Sequence, residues 1–408
     1  MSVAEHMVDG ADKRKLPEGW RWARLEAVCK VVSGSTPRTG VSEYWGGDIP
    51  WVTPTDLGRL DRPVLAATER RITAAGLASC AAQVVPPGTV IMSSRAPIGH
   101  LAVAEVACCT NQGCKSFVPT ESVDTWYLYF ALKTAVPELK ALGSGATFTE
   151  ISKTAVELFE IPVPPLSEQQ HIAAVLNEQM EAVQRARAAA EAQLEAAKAL
   201  PAAYLRAVFN SPETQRWPKV RLGEILELRK DVVHPRDNPR GAATFVGLEH
   251  LESGTGVRTG SVDVEMAELT GRKPRFYKGD IVYGYLRPYL NKVWVAEFDG
   301  LCSVDQYVYK VNEKKVETDF VVWFMRSPLY LKRAPIKTTP GQLPRIRTEE
   351  VASVEVNLPP LPEQRRVMAV LTEQLTAAER TRKALEEQLD TINKLPAALL
   401  RRAFSGEL

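Results

Sequence analysis

The stretch that decides the fold occurs twice. It reads L-S-E-Q-Q-H-I-A-A-V-L-N-E-Q at residues 166–179 and L-P-E-Q-R-R-V-M-A-V-L-T-E-Q at residues 361–374. The two copies are 195 residues apart, and the same spacing still relates Phe209 to Phe404 at the far end of the repeat. A period this long exceeds the unit of roughly 20 to 50 residues found in solenoids. The repeat therefore predicts two large, similar halves.

Each copy has the composition of a long helix. Ser167 predicts an N-cap for the first copy, and Pro362 suits the first turn of the second copy. Pro201 and Pro396 are expected to end or kink the long helices, because a proline removes a backbone hydrogen bond from a helix interior. The first long helix is thus predicted over about residues 167–199, with a short second helix after it.

Apolar residues recur every seven positions along both helices, which is typical of a coiled coil. Arg187 and Arg382 occupy matching positions of this pattern. Either both arginines extend from the seam into solvent, or they fix the register or contact a partner. The predicted members of the spacer-helix seam are Leu176, Met180, Val183, Arg187, Leu194, Leu371, Leu375, Ala378, Arg382, Leu385 and Leu389.

A block of weakly similar sequence precedes each helical copy. Corresponding positions include Arg95-Ala96-Pro97 with Arg287-Pro288-Tyr289, and Asn111-Gln112 with Asp305-Gln306. Short β-branched stretches separated by Gly and Pro turns predict strands, with a few helices between them. The predicted fold class is α/β (mixed α+β), with a twisted β-sheet in each block. The predicted order is a flexible tail at 1–15, domains at 16–165 and 217–360, and helical regions at 166–216 and 361–408.

The composition is that of a soluble globular protein, with 45% hydrophobic and 25% charged residues in 408. No apolar run approaches the roughly 18 residues that a membrane span needs, and the polar N-terminus lacks the core of a signal peptide. A cytoplasmic location without membrane contact is predicted. Cys108, Cys109 and Cys114 cluster without a histidine at zinc-finger spacing, so buried thiols are favoured over a metal site.

The sequence offers no recognisable catalytic constellation. It contains no P-loop, no G-x-G-x-x-G, no H-E-x-x-H and no G-x-S-x-G motif. Neither a cofactor site nor a metal site is predicted, and a binding protein is favoured over an enzyme. The net charge of +2 gives no independent argument for nucleic acid.

The motifs and their order resemble those of the specificity subunit (HsdS) of type I restriction–modification systems. The resemblance rests on motifs that follow in order through nearly the whole chain. Two occur twice: P-x-L-S-E-Q and P-x-L-P-E-Q from Pro164 and Pro359, and L-P-A-A-x-L-R-x-x-F from Leu200 and Leu395. Three occur once: L-P-E-G-W at 16–20, S-G-S-T-P at 33–37 and F-S-G from Phe404. The resemblance implies two target recognition domains, each reading half of a split double-stranded DNA site. It also implies that the helical regions form an antiparallel coiled coil with internal pseudo-two-fold symmetry.

The same resemblance implies the partners. Two methyltransferase (modification) subunits, which use S-adenosylmethionine, dock on the helices, and motor-endonuclease (restriction) subunits join for cleavage. This chain would contribute recognition and no catalysis. The second block lacks the S-G-S-T-P turn of the first, so the two domains are expected to read different sequences.

Gly-containing loops in both blocks carry side chains whose donors and acceptors match base edges. Local turn hydrogen bonds are the alternative role for many of these side chains, and Gln112 and Gln306 could equally be buried structural amides. The predicted DNA-binding residues are Ser35, Thr36, Ser94, Arg95, Asn111, Gln112, Ser144, Thr147, Tyr285, Arg287, Gln306, Lys337, Thr338, Gln342, Arg345 and Arg347.

Two other functions compete with DNA recognition. A non-DNA scaffold or adaptor could present a coiled coil to protein partners, and the nearly neutral charge slightly favours it. A complete methyltransferase is the other alternative, and the missing methyl-donor motif counts against it.

Overall fold

A computed structural model of the chain describes residues 16–95, 97–143, 150–336, 341 and 343–408. The chain divides into two compact units. The first unit comprises residues 1–189 and 389–408, and the second comprises residues 190–388. Each unit therefore contains one of the two sequence blocks and parts of both long helices.

The first unit consists of small sheets covered by helices. Its strands are β1 Arg21–Arg24, β2 Cys29–Ser33, β3 Trp45–Val52, β4 Val64–Leu65, β5 Arg70–Ile72, β6 Val90–Ser93, β7 Leu101–Ala104, β8 Cys109–Thr110, β9 Cys114–Pro119 and β10 Glu160–Val163. Its helices are α1 Leu25–Val28, α2 Pro54–Gly58, α3 Ala74–Ala78, α4 Thr125–Ala141, α5 Lys153–Glu157 and the first part of α6 Leu166–Phe209. The sheet orders are β2-β9-β6-β7-β4, β5-β3-β8 and β1-β10.

The aromatic helix α4 begins where Asp124 caps it. The Asp124 carboxylate accepts hydrogen bonds from the backbone N–H groups of Trp126 and Tyr127, both at 2.9 Å. Such a cap satisfies N–H groups that have no partner inside the helix. Tyr127 and Phe130 are buried in the core between α4 and the main sheet. Burial of each large apolar side chain contributes about 2 kcal/mol.

The second unit has the same kind of architecture. Its strands are β11 Lys219–Arg221, β12 Leu226–Leu228, β13 Val232–Val233, β14 Ala242–Val246, β15 Val262–Glu265, β16 Lys273–Phe276, β17 Ile281–Gly284, β18 Val293–Val295, β19 Gly300–Cys302, β20 Gln306–Val311 and β21 Glu355–Asn357. Its helices are α7 Thr318–Arg326, α8 Pro328–Arg333, α9 Thr348–Ser353 and the first part of α10 Leu361–Phe404. The sheet orders are β12-β20-β17-β18, β13-β16-β19-β14-β15 and β11-β21.

The two units share one framework, as the repeat predicted. The order β2-β9-β6-β7 in the first unit corresponds to β12-β20-β17-β18 in the second, and the pair β1-β10 corresponds to β11-β21. The remaining strands differ in number and order. The predicted mixed α and β fold with two similar domains is confirmed.

Both long helices are longer than the sequence predicted. Helices α6 and α10 each run for 44 residues without a break, about 66 Å at 1.5 Å per residue. The prediction that the helices end at Pro201 and Pro396 is wrong, because helical residues continue on both sides. A proline inside a helix costs about 3 kcal/mol. In α6 that cost is offset by the burial of Leu205 and Phe209 beyond the proline.

The predicted N-cap at Ser167 is also wrong. Helix α6 already begins at Leu166, so Ser167 lies inside its first turn. The carbonyl oxygen of Pro165 accepts hydrogen bonds from the N–H groups of Glu168 and Gln169, both at 3.0 Å. A carbonyl that opens the helical ladder belongs to the residue before the helix, so Pro165 takes the position predicted for Ser167.

The last turn of each long helix packs in the unit where the other long helix begins. Phe404, at the end of α10, lies 5.5 Å from the ring of Tyr127 in the first unit. Phe209, at the end of α6, lies 5.3 Å from the ring of Phe320 in the second unit. Each unit thus combines the beginning of one helix with the end of the other, which is the pairing of antiparallel helices.

Burial along the helices follows the predicted seam. Leu176, Leu194, Leu371 and Ala378 are buried, and the other apolar seam members (Met180, Val183, Leu375, Leu385 and Leu389) are half-buried. Arg187 is exposed. Arg382 is half-buried and bonds to Glu379 and Glu386 of its own helix, both at 2.6 Å. Both arginines therefore fit the interpretation in which they extend out of the seam.

The clustered cysteines of the first unit lie in its interior. Cys108, Cys109 and Cys114 are buried free thiols, and burial raises the pKa of Cys108 to about 11 and that of Cys109 to about 12. A raised thiol pKa keeps the reactive thiolate form scarce at neutral pH. In the described part of the chain, no helix is long and apolar enough to cross a membrane.

Candidate nucleic-acid interface

In the first unit, the turn after β2 packs closely against the turn after β8. Gly34 has no room for a side chain, since a Cβ there would lie 2.0 Å from the carbonyl oxygen of Asn111. The Thr36 hydroxyl donates a hydrogen bond to Oε1 of Gln112. Gln112 is exposed rather than a buried amide. The close approach gathers four of the predicted DNA-binding residues: Ser35, Thr36, Asn111 and Gln112.

Beside these turns lies a small charged cluster. Glu150 makes ion pairs with Arg95, at 3.8 Å, and with Lys115, at 3.5 Å. Only 6% of the Lys115 side chain is exposed, so Glu150 stabilises a cation that burial would otherwise disfavour. Ser94 is fully buried next to Arg95, which makes a direct DNA contact by its side chain unfavourable.

The second unit presents an aromatic stack at the matching edge. The rings of Tyr285 and Tyr307 lie 4.3 Å apart with an interplanar angle of 19°. Burial and the nearby Asp305 raise the pKa of Tyr285, while Arg345 and Arg272 act in the opposite direction. The N–H of Ile346 donates a hydrogen bond to the carbonyl oxygen of Tyr285 at 3.3 Å, which places the backbone of Arg345 next to the stack.

Two further predicted arginines of the second unit are exposed. Arg287 has a left-handed backbone conformation with φ of +53°, which costs about 1 kcal/mol or more outside glycine. Its N–H donates to the carbonyl oxygen of Pro344 at 2.7 Å, which holds the turn in place. Arg347 precedes α9, where its N–H donates to Glu350 at 2.8 Å.

Gln306 lies in the interior rather than at the surface. Only 2% of it is exposed, and its Oε1 accepts a hydrogen bond from the N–H of Ser303 at 2.9 Å. This geometry favours the alternative of a structural amide over a base contact. Five predicted residues lie outside the described part of the chain: Ser144, Thr147, Lys337, Thr338 and Gln342.

Hydrogen-bond register identifies corresponding residues of the two units. Ser93 of β6 pairs with Cys114 of β9, and Gly284 of β17 pairs with Gln306 of β20. Cys114 therefore corresponds to Gln306. The predicted correspondence between Asn111-Gln112 and Asp305-Gln306 is wrong by two residues, because the connections between the paired strands differ in length.

The same register corrects the correspondence of the arginines. An isolated bridge joins Arg95 to Glu150 in the first unit, and a matching bridge joins Leu286 to Arg345 in the second. Leu286, and not Arg287, is thus the counterpart of Arg95. Arg345 is the counterpart of Glu150, so the same backbone position carries opposite charges in the two units.

The sequence patterns missed a buried glutamine that docks the start of α6. Gln169 is 1% exposed. Its Oε1 accepts from the N–H of Asp124 at 2.8 Å, and its Nε2 donates to the carbonyl oxygens of Ser122 at 3.1 Å and Pro164 at 2.9 Å. These bonds fix the start of the long helix to the capping residue of α4.

Gln364 docks α10 in the same manner. It is fully buried, and its Oε1 accepts from the N–H of Glu317, the N-cap of α7, at 2.8 Å. Its Nε2 donates to the carbonyl oxygens of Lys315 at 3.2 Å and Pro359 at 2.8 Å. The signal for this role was the Glu-Gln pair, which is identical in both copies of the repeat.

Comparisons with known proteins agree on one family. Residues 17–193 match the family model of the type I restriction modification DNA specificity domain. The type I restriction enzyme MjaIX specificity subunit of Methanocaldococcus jannaschii is 27% identical, over 97% of this chain and 95% of that protein. The EcoKI specificity subunit of Escherichia coli K12 is 23% identical, over 97% and 90%.

Solved structures show the same fold. The HsdS subunit from Thermoanaerobacter tengcongensis superposes with a TM-score of 0.66 at 20% identity, covering 97% of this chain and 99% of that one. A chain from a structure of type I R-M complex assembly and conformational transition gives a TM-score of 0.74 at 20% identity, covering 97% and 100%. Together with the doubled motifs and the shared framework of the two units, these matches show that the chain is similar to type I restriction–modification DNA specificity subunits over nearly its whole length.

Proposed function

We propose that this chain reads a bipartite double-stranded DNA site and docks two methyltransferase subunits, with restriction subunits joining for cleavage. One observation carries the proposal. The two units share a backbone framework but present different polar groups at corresponding positions, as Glu150 and Arg345 illustrate. Two different half-sites can be read from one backbone framework if the exposed polar side chains on it differ.

The scaffold alternative has less support. It would explain the long helices, but it gives no reason for the exposed polar turns that each unit gathers at one edge. The similarity to type I specificity subunits also favours DNA recognition. Because the net charge is only +2, the chain alone supplies little of the electrostatic attraction on which DNA affinity depends. Tight binding is therefore expected only in the complex with methyltransferase subunits. A binding titration with and without those subunits tests this expectation, and an assembled complex without sequence-specific binding would favour the scaffold.

Exchange of one block should change one half of the methylated site. Replacing residues 17–160 by the corresponding block of a relative is expected to alter the first half-site and to leave the second unchanged, because each unit has its own core. The measurement is sequencing of methylated DNA from cells that contain the variant and its partner subunits. A change in both halves would contradict the modular assignment.

The chain alone should transfer no methyl group. S-adenosylmethionine is proposed to bind the partner methyltransferase, since the sequence contains no recognisable methyl-donor motif. Purified chain incubated with DNA and labelled S-adenosylmethionine should incorporate label only at background level. Addition of methyltransferase subunits should raise incorporation above background. Incorporation by the chain alone would refute this division of labour.

A further inference from the structure

Four backbone positions at one edge of the sheet correspond between the two units. In the first unit Met92 pairs with Lys115, and in the second Tyr283 pairs with Tyr307. Lys115 thus corresponds to Tyr307, in addition to the pairs already identified. We call these groups the first reading site, with residues Ser94, Arg95, Lys115 and Glu150, and the second reading site, with residues Tyr285, Leu286, Tyr307 and Arg345.

The backbone of the two reading sites is bonded in the same way. The N–H of Ile151 donates to the carbonyl oxygen of Ser94 at 3.1 Å, and the N–H of Ile346 donates to that of Tyr285 at 3.3 Å. Glu150 and Arg345 directly precede the two isoleucines. They therefore occupy corresponding backbone positions in the two units.

The chemistry at that place is opposite in the two units. In the first reading site, the Glu150 carboxylate is held by two cations. In the second, the Arg345 side chain is exposed, and its backbone is bridged to Leu286, the residue after the stacked Tyr285. No ion pair joins Arg345 to an acidic side chain among the residues that the structure describes.

We propose that Arg345 reads a guanine in the half-site of the second unit; this inference rests on the proposed function. An arginine guanidinium can donate two hydrogen bonds to O6 and N7 of guanine, which is the commonest specific contact in the major groove. The corresponding position of the first unit carries a carboxylate, which DNA phosphates would repel. This position carries a cation in one unit and an anion in the other, which suits contacts with base edges. There an arginine can donate to guanine, and a carboxylate can accept from the amino group of cytosine.

The tyrosine stack supports this assignment. The bridge from Leu286 to Arg345 and the hydrogen bond from the N–H of Ile346 to the carbonyl oxygen of Tyr285 fix the backbone of Arg345 next to the stacked pair. Arg287 and Arg347 are exposed as well, and they are assigned to contacts with phosphate groups, which carry no sequence information. A base-reading arginine should discriminate by roughly 10- to 100-fold against a wrong base.

The experiment compares methylation motifs of the full chain assembled with its methyltransferase partner. The wild-type motif should contain a G·C pair in the second half-site. Arg345→Gln should relax that single position, with the first half and the spacer unchanged. Arg345→Lys keeps the charge but loses the planar fork, so it should relax the same position. Arg287→Gln is the matched control, and it should reduce methylation evenly without changing the motif.

The outcomes separate this inference from the function on which it rests. An unchanged motif in both Arg345 variants would overturn it, and so would an even loss of methylation, which indicates a phosphate contact. Thermal unfolding of each variant shows whether it is folded. If Arg345→Gln does not fold, the motif of Arg345→Lys tests whether Arg345 reads the base. A wild-type complex that methylates no bipartite site would instead refute the proposed function.

Discussion

Replacement of Gln364 by alanine is expected to destabilise the second unit by about 3 kcal/mol or more. The change removes three hydrogen bonds and leaves the N–H of Glu317 and the carbonyl oxygens of Lys315 and Pro359 without their partner. Each buried polar group left unsatisfied costs about 1–3 kcal/mol. Domains are stable by only about 5–15 kcal/mol, so the loss should be visible as a lower midpoint in urea.

The repeat supplies a reciprocal variant. Gln169→Ala should destabilise the first unit by a similar amount, because Gln169 makes the equivalent three bonds there. Hydrogen exchange should become faster near residues 315–317 in the Gln364 variant and near residues 122–124 in the Gln169 variant. Gln374 is exposed on the same helix as Gln364, so Gln374→Ala should change neither stability nor exchange. Equal effects of Gln364→Ala and Gln374→Ala would show that the buried bonds do not stabilise the docking.

Periodicity predicted the two long helices, because it depends on side chains that repeat at a fixed interval. Leu176 and Leu371 are fully buried where the seven-residue pattern placed them. The helix ends were predicted poorly. The rule that a proline stops a helix considers only the local backbone cost. It omits the packing of Phe209 and Phe404 beyond the two prolines, which depends on tertiary contacts with distant aromatic rings.

The sequence predicted which turns come together in the candidate interface, but it did not predict which residues of the two units correspond. The glycine-containing turns do gather Thr36 and Gln112 at one edge. Matching Arg95 with Arg287 by residue type failed, since the strand connections differ in length and only the hydrogen-bond register identifies the counterpart. For Gln306 the sequence left a DNA contact and a buried structural amide open, because a pair of polar residues does not show which of them is buried; the structure buries it.

Insertion of four residues near Ala197 is expected to lengthen the non-specific spacer of the DNA site while both half-site sequences are kept. Helix α6 is docked at its start by Gln169 in the first unit, and its end is held by Phe209 in the second. Four added residues lengthen the helix between these anchors by about 6 Å. This is close to two base pairs, at about 3.4 Å each.

The second long helix offers a matched variant. Ile392 is the counterpart of Ala197 at the 195-residue spacing, and both side chains are buried. An insertion in α6 alone rotates the following residues by about 40° and shifts the seam. A variant with the same insertion at both Ala197 and Ile392 extends both helices equally. The paired variant should therefore methylate more efficiently than the single variant, with the spacer again longer than in the wild type.

The readout is the methylation motif of each variant assembled with its methyltransferase partner. Half-sites that are read from one side of DNA lie about one helical turn apart or at multiples of it, so the spacing tolerates little slack in the connecting helix. The two helical copies align without a gap, which agrees with this requirement. A change of length in one helix would break its pairing with the other. Active variants whose spacer is unchanged would show that the long helices do not set the distance between the half-sites.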